Sequence, residues 1–250
     1  MAISYDAPEN DRRRLLVLST LLKSYDQDAL DGDSYIGASV HAEAAAAYTP
    51  FNTAMDAISA TLTARSTVVD EKNRAFKYLE WGVRDAWESV KRRMRRQDLN
   101  KNVLLYYGLP ESGEVPKGMP YAEWLLYAKD VIDGDGEAVA AGYAPLLDPS
   151  AAEITTLRGA AQASHDAIRP ADKAYDNAQT AVADLRDDVD GVLAKVVRDM
   201  RYHLSVAEMD KESERRVMRG YGFTFITVGT SPKEAVDEVL AGEEEESNNE

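Results

Sequence analysis

Three kinds of side-chain cluster in this chain are of types that could do chemistry. Aspartates flank glycine in Asp28-Ala-Leu-Asp-Gly-Asp33 and again in Asp130-Val-Ile-Asp-Gly-Asp135, and such carboxylates suit a hard cation such as calcium. The run Lys91-Arg-Arg-Met-Arg-Arg96, with Arg198 and Arg201, offers cations to phosphate. Arg219-Gly-Tyr-Gly-Phe223 places aromatic rings beside a cation, the combination that stacks bases while neutralising their phosphates. Histidine stands at His41, His165 and His203, with His41-Ala-Glu43 a lone pair of ligand types.

Each cluster also has a plainer explanation. The Arg219–Phe223 stretch resembles the strand motif of the RNA-recognition motif and of cold-shock domains, and Ser231–Leu240 resembles the helix following that strand. That likeness implies a four-stranded sheet with exposed rings. Yet Ala181–Val196, where the partner strand would fall, carries helical heptads; Thr224 and Ile226 depart from the motif, and the related stretch Tyr106-Tyr-Gly-Leu109 departs further. A helix stop with glycine in the left-handed conformation accounts for the same residues. Asp133-Gly-Asp-Gly136 resembles part of an EF-hand or dockerin loop, but setting Asp135 at the fifth position puts Val131 at the first and Gly142 at the twelfth, where carboxylates are required. Glycine ending one helix and aspartate opening the next explains these turns equally. The arginines of 91–96 close a long helix, where cations complement the macrodipole, and consecutive arginines point all round it. Neither a Glu-x-x-His pair, a Gly-x-Ser-x-Gly elbow nor a phosphate-cradling Gly-x-x-x-x-Gly-Lys loop occurs, and the chain has no cysteine. No catalytic, cofactor-binding or metal-ligating residue is therefore assigned, no cofactor is expected, and the expectation is a protein that is not an enzyme.

The elements that carry these clusters are helical. Tyr48, Met55, Leu62, Val69, Phe76, Val83 and Val90 recur every seventh residue, with Phe51, Ile58, Leu79 and Ala86 along a neighbouring line. Such a seam marks a long helix packed along another, and its heptad period is that of a coiled coil. Ile154, Ala161, Ile168, Tyr175, Val182, Val189 and Val196 repeat it. Ser150-Ala-Ala-Glu153 forms a capping box before the second seam, and Thr49-Pro50 suits an N-cap and first helical residue before the first. The alanine-rich 42–47 reads as a separate turn or an early extension. Pro170 leaves two alternatives, a kinked second helix or hairpins turning near Arg65–Asp70 and Arg169–Asp172.

Arg12–Tyr25 reads as a short amphipathic helix with Tyr121–Ile132 as its counterpart, and Val103–Leu109 matches Val217–Phe223. The chain is thus read as an internal duplication: residues 1–110 form helical repeat unit one, 111–119 a glycine- and proline-bearing linker, and 120–223 repeat unit two. Residues 224–242 give a strand-like segment, Phe223–Val228, plus a helix at Ser231–Leu240, and 243–250 form an acidic tail. Phe223–Val228 has no evident partner strand, so it is read either as pairing between subunits or as an extended segment packed on the bundle. The fold class predicted is all-α, with two long heptad-patterned helices packed antiparallel in an elongated bundle.

The Val90-Lys-Arg-Arg-Met94 end of an alanine-rich helix, followed after a short helix by Tyr107-Gly-Leu-Pro110, resembles uncharacterised bacterial proteins of tandem long helices. That resemblance covers the first unit and implies no function or site residue. A net charge of −15 disfavours nucleic acid and anionic membranes as partners. No apolar run approaches the roughly 18 residues of a membrane span, and no secretory signal pattern is seen, so a cytoplasmic location is expected. These features point to a structural or protein-interaction module whose partner is a protein, including a second copy of itself. The alternatives are a nucleic-acid binder using Arg92–Arg96 and Arg219–Phe223, or a metal- or ligand-binding helical enzyme.

Overall fold

The computed structural model describes residues 2–32 and 34–228. The predicted helix Ser231–Leu240 and the acidic tail lie outside the described residues. The chain is all-α: among the described residues it runs β1 (Ala2–Asp6), α1 (Asp11–Asp31), α2 (Ala38–Gln97), α3 (Val103–Tyr106), α4 (Tyr121–Ala140), α5 (Ala151–Asp166), α6 (Ile168–Val206), α7 (Lys211–Gly220) and β2 (Thr224–Val228).

Local signals set most of the boundaries. The Asn10 side chain accepts from the Arg13 amide to open α1, and Gly32, at φ 85°, closes it in the left-handed region that only glycine enters without strain. Ser150 and Glu153 form the predicted reciprocal capping box of α5, and Asp210 caps α7 through the amides of Glu212 and Ser213. The two Tyr-Gly stops close alike. Leu109 N–H donates to Leu104 O at 3.1 Å and Gly108 N–H to Leu105 O at 3.2 Å; Phe223 donates to Met218 at 3.1 Å and Gly222 to Arg219 at 2.9 Å. Both are Schellman closures around a left-handed glycine, at φ 70° and 89°.

Several expectations are corrected. The first long helix begins at Ala38, so Ala42–Ala47 belongs to it and Pro50 lies in its interior instead of at its start. No hairpin interrupts 65–70. In the second seam only Ala167 separates α5 from α6, and its helical φ of −72° lets the axis continue. Pro170 is the third residue of α6, where the amide it lacks would have pointed back to Asp166, the last residue of α5. The second Asp-Gly-Asp is not a turn at all, because α4 runs through it to Ala140. Gly134 is there for contact: a Cβ on it would sit 1.7 Å from the Tyr106 carbonyl oxygen, so α4 seats directly on the backbone of α3. Finally, Thr224–Val228 finds its partner within the chain. It pairs antiparallel with Ala2–Asp6, Tyr5 opposite Phe225, in a strand the polar N-terminus did not announce.

Two compact units result. The first takes residues 1–57 and 179–250, the second residues 58–178. The first unit is therefore discontinuous in sequence, and each compact unit draws on both sequence repeats. Its core gathers Leu18 and Leu21 of α1, Val40, Ala44 and Phe51 of α2, Val189, Leu193, Val196 and Met200 of α6, and Met218, Tyr221 and Phe223. Here the start of α2 meets the end of α6 in antiparallel order: the Gly37 amide donates to Asp199 at 2.7 Å, and Lys195 holds Glu43 at 2.5 and 2.6 Å. Arg14 of α1 grips Asp190 through two hydrogen bonds of 2.8 Å.

The second unit packs Phe76, Leu79, Val83, Ala86, Trp87 and Val90 of α2 against Val103, Leu104, Tyr107, Trp124, Ala128, Val131 and Ile154. Their spacing is the apolar stripe of one helix face. Order is again antiparallel, since Arg65 bonds Asp172 at 2.5 Å while Gly82 lies against Ile154 and Leu157. The stretch read as a linker is not free, because Val115 and Met119 pack on this core and Arg84 donates to the Pro116 carbonyl at 3.4 Å.

Candidate functional site

The most developed polar arrangement lies inside the second unit, on residues that sequence spacing did not single out together. The Trp87 indole N–H donates to the Tyr107 carbonyl at 2.8 Å. The Tyr107 hydroxyl donates to Asp135 Oδ1 at 3.0 Å, and the same oxygen accepts the Leu146 amide at 2.8 Å. Arg93 donates to the Tyr107 hydroxyl at 3.1 Å and to the carbonyls of Ala144 and Pro145. Asp135, only 7 % exposed, thus ties α4 to the tail of α3 and to the loop after α4. Burial first, then the hydrogen bond to Asp135, pushes the Tyr107 hydroxyl up to about 12, against the lowering effect of Arg93. The network ties together the backbone of the segment after α3, α4 and the loop that follows α4. The counterpart in the first unit is simpler: Tyr221 donates to the Asp28 carboxylate, and burial and that bond again raise its hydroxyl.

The clusters anticipated from sequence are distributed as follows. Within Arg92–Arg96, Arg93 is committed to the loop at 144–145, while Arg92, Arg95 and Arg96 are exposed. Within Arg219–Phe223, Tyr221 and Phe223 are 2 % and 1 % exposed, so neither ring is available for stacking on a base. Asp133 pairs with Lys129 on the surface of α4, and Asp135 is consumed by the network above. His41 stacks on Tyr25 with ring centroids 3.8 Å apart, His203 lies 3.8 Å from Asp199, and His165 meets the edge of Phe76. Among the described residues no three carboxylate or imidazole groups converge as a metal site would need, and no helix is long and apolar enough to cross a membrane.

An apolar surface remains on the second unit. Tyr78 and Trp81, both 48 % exposed, stand on α2 with their rings 5.7 Å apart, and the Lys77 ammonium lies 4.8 Å from the Trp81 ring. Beside Tyr78 a groove of 210 Å³ is lined by Glu71, Arg74, Ala75, Leu157 and Ala160. Gly82 deepens the contact between α2 and α5, since a Cβ there would come within 2.6 Å of Leu157. These aromatics fall outside both the heptad seam and the buried stripe of α2, so periodicity does not mark them. No protein-family model, curated protein or solved structure matches the chain.

Proposed function

We propose that the protein is a cytoplasmic, non-enzymatic, self-associating interaction module built from a duplicated helical unit, and that it associates through the groove lined by Tyr78 together with the exposed Trp81 ring next to Tyr78. The carrying observation is that Tyr78 is left half exposed at a groove lined also by Ala75, Leu157 and Ala160, with the equally exposed Trp81 ring 5.7 Å from its own. Buried tryptophan and tyrosine anchors dominate the energetics of protein interfaces, and rings poised at a groove are what a partner surface would cover. The matching Schellman closures at Gly108 and Gly222, each preceded by a tyrosine bonded to an aspartate of a neighbouring helix, support the reading as a duplication. The heptad spacing of the two seams supports coiled-coil-like packing between the long helices.

Size-exclusion chromatography with light scattering on the full chain tests the proposal. The wild type is expected to form a dimer that Tyr78→Ser with Trp81→Ser converts to monomer, with unchanged helical circular dichroism. A wild type that stays monomeric at millimolar concentration overturns self-association.

A further inference from the structure

A second surface, on the first unit, has a different chemical character. Arg201 of α6, Lys211 and Arg215 of α7 and Phe225 of β2 line a mainly polar groove of 310 Å³, with Glu214 on its wall. Lys211, Arg215 and Arg219 follow at intervals of four residues and so share one face of α7, spaced about 6 Å apart along its axis. The Arg219 guanidinium stands 6.0 Å from the centre of the Phe225 ring, a half-buried aromatic surface next to the cations. Glu214 forms a long ion pair with Arg201, at 3.9 Å and outside hydrogen-bond distance, and no carboxylate pairs with Lys211 or Arg215 among the described residues. The amide groups at the start of α7 are not the attraction, because Asp210 already occupies them.

From this geometry we infer that the groove between α6, α7 and β2 binds a phosphate monoester carrying an aromatic group, the phosphate held by Arg201, Lys211 and Arg215 and the ring laid against Phe225. Guanidinium forks match phosphate oxygens in pairs, and lysine adds a point charge. Arg201, Lys211 and Arg215 outnumber Glu214, so the lining keeps a net positive charge towards a phosphate dianion. The chain as a whole repels polyanions, so a small ester suits the groove better than a long nucleic acid.

Phenyl phosphate and inorganic phosphate are the probes, titrated into the full chain while amide and arginine side-chain NMR signals are followed. Saturable shifts centred on Lys211, Arg215 and Phe225 are expected, with phenyl phosphate at least tenfold tighter than inorganic phosphate. Lys211→Gln and Arg215→Gln should each weaken phenyl phosphate about tenfold, while Arg216→Gln, on a different face of α7, should leave it unchanged. These side chains are solvent-accessible, and an unchanged melting temperature confirms that each variant is folded. No saturable binding at millimolar ester overturns the site. Equal affinity for the two probes overturns the role of Phe225, and binding insensitive to both glutamine variants assigns the ester to another surface and overturns the proposal.

Discussion

Two hydroxyls of the same chemical type show how environment decides the worth of a residue. Tyr107 donates to Asp135 within the core of the second unit, whereas the Tyr5 hydroxyl is buried with no hydrogen-bond partner among the described residues. Removing one member of a satisfied pair leaves the other uncompensated, while removing an orphan relieves a desolvation cost. Tyr107→Phe is therefore expected to lower the stability of the full chain by about 1–3 kcal/mol, and Tyr5→Phe to be neutral or stabilising by about 1 kcal/mol, both read from urea unfolding. The pH dependence follows in sign. With its folded value raised to about 12, mainly by burial, Tyr107 keeps its proton in the folded state above the pH near 10 at which an unfolded tyrosine loses it. Its contribution is complete below about pH 10 and is lost as pH rises through about 12, so melting temperatures should fall across that alkaline window. The fall should be shallower in Tyr107→Phe. Gly134 and Gly136 make a second contrast. Both lie in α4, but a Cβ at Gly134 meets the Tyr106 carbonyl at 1.7 Å and one at Gly136 meets nothing within 4 Å. Gly134→Ala should destabilise by about 3 kcal/mol or more through overpacking against backbone. Gly136→Ala should stabilise by about 0.5–1 kcal/mol through helix propensity, as thermal melts of the two variants would show.

At the scale of the element, two prolines in two long helices are not equivalent. Pro50 is exposed in the interior of α2, where it withholds an amide and crowds the carbonyl of Ala46. Pro170 stands in the first turn of α6, where amides are without intrahelical partners in any case. Pro50→Ala is expected to stabilise the protein by about 1–3 kcal/mol, and Pro170→Ala to change it by less than about 1 kcal/mol. Chemical denaturation monitored by circular dichroism separates the two, and equal effects would contradict the assignment of Ala167 as the break between α5 and α6. The element scale is also where sequence reading was strongest. The Ser150 capping box and the Tyr-Gly stops depend on neighbours within a turn or two, and both appear where the residues placed them, whereas the first heptad line is buried at Phe76, Val83 and Val90 but leaves Leu62 46 % exposed. It was weakest at Asp133-Gly-Asp135, because a glycine that ends a helix and a glycine that lets another backbone approach are the same letter. Only Tyr106, brought from α3, distinguishes them.

For the whole molecule, charge and apolar surface act in opposition. In the proposed self-association, a net charge of −15 opposes the meeting of copies that burial of the Tyr78 and Trp81 rings would favour. Because the Debye length shortens from about 30 Å at 0.01 M to about 8 Å at 0.15 M ionic strength, dimerisation through those rings should strengthen as salt is raised. Sedimentation velocity at the two ionic strengths would show a rising dimer fraction, absent in Trp81→Ser; weakening with salt would indicate an electrostatic contact elsewhere on the chain.

The sequence by itself determined the all-α class and the Ser150 capping box, because these follow from periodicity and hydrogen bonding over a few residues. It also placed Phe223–Val228 as the strand-like segment, but not its partner. Tertiary structure alone decided that this segment pairs with Ala2–Asp6, that Arg93 reaches the carbonyls of the loop at 144–145, and that the first compact unit is assembled from two separated stretches of sequence. The reason is range. A strand is specified by an edge it can reach, and here that edge lies at the opposite end of the sequence, where a short polar stretch carries no periodic signal of its own.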